Sequence, residues 1–102
     1  MKIKLFIFLK SIRNKENGVK KIMMKTFEST FRPVVGDIID DPGFDPRFHN
    51  GYEVVKVTVD YARHECYVSL SPLAIELEEI SLYDYINKLT AYGWEIVAKE
   101  DL

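Results

Sequence analysis

From Pro33 onward the chain alternates apolar and polar positions in a pattern that can be read residue by residue. Val34, Val35, Ile38 and Ile39 surround Gly36-Asp37 and predict a short strand or hairpin arm. Between Tyr52 and Tyr61, Val55, Val57, Val59 and Tyr61 share one parity, while Lys56, Thr58 and Asp60 share the other. Period-two alternation of this kind predicts a half-buried β-strand with the valines inward. A turn at Ala62-Arg63-His64 leads to Cys66, Val68 and Leu70, again on one face, so the two segments read as an antiparallel hairpin. After Ser71-Pro72 the apolar parity shifts to Leu73, Ile75 and Leu77. Proline has no N–H for a ladder, so an edge position or a bulge is expected there.

The period then changes to that of a helix. Ser81 is placed as an N-cap with Asp84 three residues on, Ile80 and Tyr85 as a hydrophobic staple, and Gly93 as the stop. Leu82, Tyr85, Ile86 and Leu89 would line one helical face. Trp94 to Ala98 follows as a last strand, with Trp94, Ile96 and Ala98 inward. The pattern from Pro33 therefore predicts an α+β domain over residues 33–102, a small, mainly antiparallel sheet in the order β-β-β-α-β with one helix packed on one face.

Residues 1–32 show no single period. Leu5, Phe8, Leu9 and Ile12 would share a helical face, and Ile3, Leu5, Ile7 and Leu9 would equally share a strand face. Asn17-Gly18 reads as a turn, with Val19 to Phe27 as a second short basic helix. This part is expected to be a basic N-terminal extension, helical or not native to the protein. The string Glu16 to Met24 could be encoded by a purine-rich ribosome-binding sequence just before an ATG, which would place the natural start at Met23 or Met24.

The ending LTAYGWEIVAKE, after a strand and a capped helix, resembles small bacterial and phage domains of unknown function whose helix ends in Gly-Trp-Glu before a strand. The likeness covers about the last twenty residues. It implies a β-β-α-β fold and carries no catalytic set with it. A short, acidic, single-domain chain without a recognisable cofactor motif also looks like an accessory protein of a phage or other mobile element.

Charge divides the chain. Residues 1–32 hold nine Lys/Arg against two Glu, net +7, and residues 33–102 hold five basic and fourteen acidic residues, net −9. An acidic body repels phosphate, which speaks against direct nucleic-acid binding even though Phe6, Phe8 and Phe27 interleave with the basic positions. At 102 residues the chain fits one domain. Its one cysteine, Cys66, cannot close an intrachain disulfide, and a reducing interior is expected. Ile3 to Leu9 is too short and too interrupted for a membrane span, and no small-residue cleavage site follows it, so a cytoplasmic protein is expected.

Cofactor motifs are missing: the five glycines are scattered singly, and no cofactor is expected. His64 and Cys66 would share a strand face, yet Cys66 has the parity of core residues. Asp37, Asp40, Asp41, Asp45 and His49 could ligate a cation but lack calcium-loop spacing, and Asp-Pro and Asn-Gly form turns on their own. Turn chemistry leaves Phe44, Arg47 and Phe48 unexplained. They are either a plug for the sheet or exposed anchors beside Asp41, Asp45 and His49, and Glu76, Glu78 and Glu79 form an acidic patch. The expectation is a non-enzymatic module binding another protein through these nine residues. The alternatives are an acidic nucleic-acid mimic that inhibits a nucleic-acid-handling enzyme, and a small metal-dependent hydrolase.

Overall fold

The computed structural model describes residues 1–10, 20–44, 51–71, 73–74 and 82–97. They form a curled, mixed sheet rather than a small antiparallel one. The strands are β1 (Lys2–Lys10), β2 (Lys20–Glu28), β3 (Ile38–Ile39), β4 (Tyr52–Asp60), β5 (Glu65–Leu70), β6 (Leu73–Ala74) and β7 (Glu95–Val97), and one helix, α1 (Leu82–Ala91), precedes β7. The order across the sheet is β3-β4-β5-β1-β2-β7, with β6 also paired to β1.

The expected basic extension is the middle of this sheet. β1 runs antiparallel to β2 from Lys2↔Glu28 to Lys10↔Lys20, and on its other side it runs parallel to β5 from Lys2↔Glu65 to Phe6↔Ser69. Val19 to Phe27, expected as a helix, falls largely within β2. The ambiguity of residues 1–10 has a physical cause. Ile3, Leu5, Ile7 and Leu9 are buried on the core face, while Phe6 on the opposite face is also buried and Phe8 partly so. Phe6 and Phe8 place apolar residues on the second parity beside Lys2, Lys4 and Lys10, and a short run with apolar residues on both parities cannot be told from a helix by periodicity alone. Pairing between residues so distant in the chain leaves no local signal at all.

The charge division is likewise internal to the fold. Lys4 Nζ lies 3.7 Å from Glu65 Oε2, and Lys25 Nζ lies 2.8 Å from Asp41 Oδ2. Both pairs join the basic first third of the sequence to the acidic remainder.

The hairpin of β4 and β5 forms where the alternation predicts it, with one change of phase. The register steps from Val54↔Leu70 to Lys56↔Ser69, so Val55 is an extra residue in a bulge. Val54 is buried in place of Val55, which is exposed, and beyond the bulge Val57 and Val59 pair with Val68 and Cys66. Helix α1 turns Tyr85 and Leu89 into the core, with Ile86 packed against it. It ends as the Gly93 signal predicts: Gly93 has φ +94°, and the Trp94 N–H donates to the Leu89 carbonyl at 3.1 Å. Trp94, just before β7, is buried, but Ile96, expected inward, is exposed at the sheet edge, and Ala98 lies outside the described residues. Gly51, at the entry to β4, has φ +115°, and a Cβ there would lie 2.4 Å from the Ile39 carbonyl oxygen, so no other residue fits. Ser81 and Pro72 lie outside the described residues. No described helix is long and apolar enough to cross a membrane.

A chain begun at Met23 or Met24 lacks β1 altogether. Deletion of residues 1–22 is expected to abolish cooperative thermal unfolding followed by circular dichroism. A sharp transition retained in the shortened chain would show that the sheet does not need its central strand.

Candidate functional site

Of the loop residues expected to bind a partner, Asp41 and Phe44 are described, and both are committed to the fold. Asp41 Oδ1 accepts hydrogen bonds from the Gly43 N–H at 2.8 Å and the Trp94 indole Nε1–H at 3.0 Å, and Asp41 Oδ2 takes the Lys25 ammonium. One carboxylate thus ties the loop to β2 and to the residue before β7. Phe44 is 5% exposed. Its ring meets Tyr52 edge-on with centroids 4.6 Å apart, and Trp94 at 5.6 Å. Beneath them the hydroxyls of Tyr52 and Tyr85 are 2.7 Å apart in the interior. Phe44 is therefore a plug, not an exposed anchor. Asp45, Arg47, Phe48, His49, Glu76, Glu78 and Glu79 lie outside the described residues.

Cys66 is fully buried, and burial pushes its thiol up from the ordinary range, which keeps it in the unreactive protonated form. His64 sits exposed on the turn with φ 56°. One side chain is sealed in the core and the other is in solvent, so they do not form a nucleophile–base pair.

Among the described residues, two clefts offer places where function can reside. The first lies on the sheet face opposite the α1 core and is about 610 Å³ in volume. Its floor holds Phe6 and Met24, which are direct cross-strand partners, and Tyr67 and Ser69 of β5 continue it. The sheet curls enough that Lys56 of β4 and Glu95 of β7 line the same groove. At one end Tyr67 donates its hydroxyl to Glu65 Oε2 at 2.7 Å, and Lys4 Nζ stands 5.5 Å from the Tyr67 ring centre. The Tyr67 hydrogen bond is the main cause that holds the Glu65 carboxyl below its ordinary value of 4.5, aided by the charges of Lys4, Lys2 and Arg63 and opposed by burial. The same hydrogen bond, with burial and the negative charge of Glu65, raises the Tyr67 phenol.

The second cleft, about 620 Å³, lies beside β3 and is lined in part by Phe27, Phe31, Pro33, Ile38, Asp37 and Asp40. Phe31 is 68% and Ile38 60% exposed, and Val34 and Val35 between them in sequence are 50% and 62% exposed. Sequence reasoning gave neither cleft a role. Its one available signal for the first was that Phe6 and Phe8 fall on the parity opposite Ile3, Leu5, Ile7 and Leu9, which puts them on a second face of a strand. For the second, Val34, Val35 and Ile38 read as part of a short strand or hairpin arm, and nothing local marks them as exposed.

In comparison with known proteins, no family model matches the chain, and no curated protein and no solved structure matches it either.

Two outcomes follow. Asp41→Ala strands the Lys25 ammonium and the Trp94 N–H in a largely buried setting and is expected to cost about 2 to 3 kcal/mol. Denaturant unfolding followed by Trp94 fluorescence measures this. A loss no larger than that of Glu53→Ala, an exposed site expected within about 0.5 kcal/mol, would contradict the anchoring role.

For Glu65, whose folded pKa lies below the unfolded one, the stabilisation is present above pH 4.5 and is lost as pH falls through the folded value. For Tyr67, whose folded pKa lies above its ordinary value of 10.0, stabilisation is present below that pH and lost as pH rises through the folded value. Glu65→Gln should flatten the acid limb of stability and move Tyr67 ionisation, read by tyrosinate absorbance, to lower pH. Unchanged curves would show that the pair is not formed.

Proposed function

We propose that the chain is a non-enzymatic binding module whose partner is another protein, held at the surface around residues 31–38. The observation that carries this reading is the run of exposed apolar side chains Phe31, Val34, Val35 and Ile38, of which Phe31 and Ile38 line an open cleft. Large aromatic and aliphatic groups in water cost free energy that a partner can recover, and a depression next to them gives an anchor a place to seat. The patch is contiguous with edge strand β3, which spans only two residues and, among the described residues, has a strand neighbour on one side only.

Exposed carboxylates border the patch. Asp37 and Asp40 line the cleft, and Glu53 is the cross-strand partner of Ile38. Asp41 is neutralised by Lys25, and Arg32 is the nearby cation in sequence. The fitting partner is therefore an apolar segment flanked by lysine or arginine. Affinity in this reading comes from the apolar centre, with the carboxylates setting orientation and rate of encounter.

The test is affinity capture run in parallel with the parent chain and a Phe31→Ser/Ile38→Ser variant, whose folding is checked by circular dichroism. The parent should retain a basic partner in salt of about 1 M, where charges are screened beyond about 3 Å, and the variant should lose it. Equal capture by both chains would overturn the reading. Release by salt alone, with no effect of the substitutions, would favour a carboxylate surface that mimics nucleic acid.

A further inference from the structure

The groove on the other face of the sheet has a charge layout that the interaction surface does not explain. Direct cross-strand partners share a face and stand side by side. Chaining the registers from β4 to β7 gives one row, Lys56–Ser69–Phe6–Met24–Glu95, whose five members all line the groove. The middle of the row is sheltered, with Phe6 buried and Ser69 and Met24 half-buried, while the two ends, Lys56 and Glu95, are exposed. The row thus has a cation at one rim, an anion at the other and an apolar floor between them.

The bulge at Val55 is what completes this layout. Without the extra residue, Lys56 would keep the parity of Val54 and face the core. With it, Lys56 pairs with Ser69 and reaches the groove. Among the described residues neither Lys56 nor Glu95 has an ion-pair partner, whereas Lys4, the other cation of the groove, is paired with Glu65. Four inter-strand steps of about 4.8 Å separate the two rims, at most about 19 Å along the sheet and less across its curl.

We propose that this groove binds a short, extended, apolar oligopeptide with free ends, its terminal carboxylate at Lys56 and its terminal ammonium at Glu95. An extended residue spans about 3.3 Å, so four or five residues bridge the rims. The peptide lies across the strands, its side chains on Phe6 and Met24. Ser69, Thr58 and Tyr67 offer hydroxyls along the way. Opposite charges at the two rims fix its direction and disfavour ligands with one charged end.

The experiment is a titration of the full chain, followed by amide shifts in nuclear magnetic resonance, with a synthetic pentapeptide of Val, Leu and Phe. It is run with both ends free, with each end capped, and with both capped, and decanoate serves as a singly charged apolar probe. The free peptide should shift residues 4–8, 56–58, 67–69 and 95–97. Lys56→Met and Glu95→Gln should each weaken it about threefold, the size of a partly exposed ion pair. Lys56→Met should leave the peptide with an amidated C-terminus unaffected, and Glu95→Gln should leave the one with an acetylated N-terminus unaffected. Both substitutions lie at exposed rims and are expected to fold, which their unperturbed spectra would verify. Equal affinity of the free and doubly capped peptides, equal affinity of decanoate, or shifts confined to residues 27–41 would each overturn the assignment.

Discussion

Hydrogen bonding of β1 along both of its edges is the interaction on which the rest of the molecule depends. Antiparallel to β2 on one side and parallel to β5 on the other, this strand joins the hairpin of residues 52–70 to the β2–β7 side of the sheet. Its core face supplies Ile3, Leu5, Ile7 and Leu9 to the interior that Tyr85, Leu89 and Trp94 close. Its other face supplies Phe6 to the floor of the groove. Core and groove are the two sides of one strand, and neither exists without it.

A second constraint fixes the loop after β3. The Asp41 carboxylate collects an ammonium from β2, an indole N–H from Trp94 and a local backbone N–H. Buried charge is tolerated only when paired and hydrogen-bonded, and Asp41 meets both conditions. With the loop pinned there, Phe44 closes over Tyr52 and Trp94, and Phe31, Val34, Val35 and Ile38 are left exposed. The exposed apolar surface thus follows from how the loop is tethered: Phe44, for which the sequence allowed a plug or an anchor, is used as a plug, and Val34, Val35 and Ile38 are exposed.

How far the sequence revealed this varies with the range of the interactions involved. The hairpin, α1 and its Gly93 stop were legible because alternation, helical spacing and a left-handed glycine act within a few residues. The central place of β1 was not, because its partners lie near residues 20–28 and 65–69 and Phe6 and Phe8 put apolar residues on both parities of the strand. Nor was the bulge at Val55, since inserting one residue changes every later face without altering the composition. The charge division was visible but was taken for a boundary between a leader and a body. In the structure it is complementarity, with Lys4 set against Glu65 and Lys25 against Asp41. Of the candidate site, the loop was located, and the inward direction of Phe44 was one of two readings the sequence allowed.

Hydrogen exchange resolved by residue addresses the central role of β1 most directly, because an amide bonded inside a sheet exchanges only when the sheet opens. The slowest amides of the molecule should be those of residues 3–7, matched by their partners in β2 and β5 and slower than those of β3 and β7 at the edges. Exchange of residues 3–7 as fast as that of the turn at residues 61–64 would contradict the account.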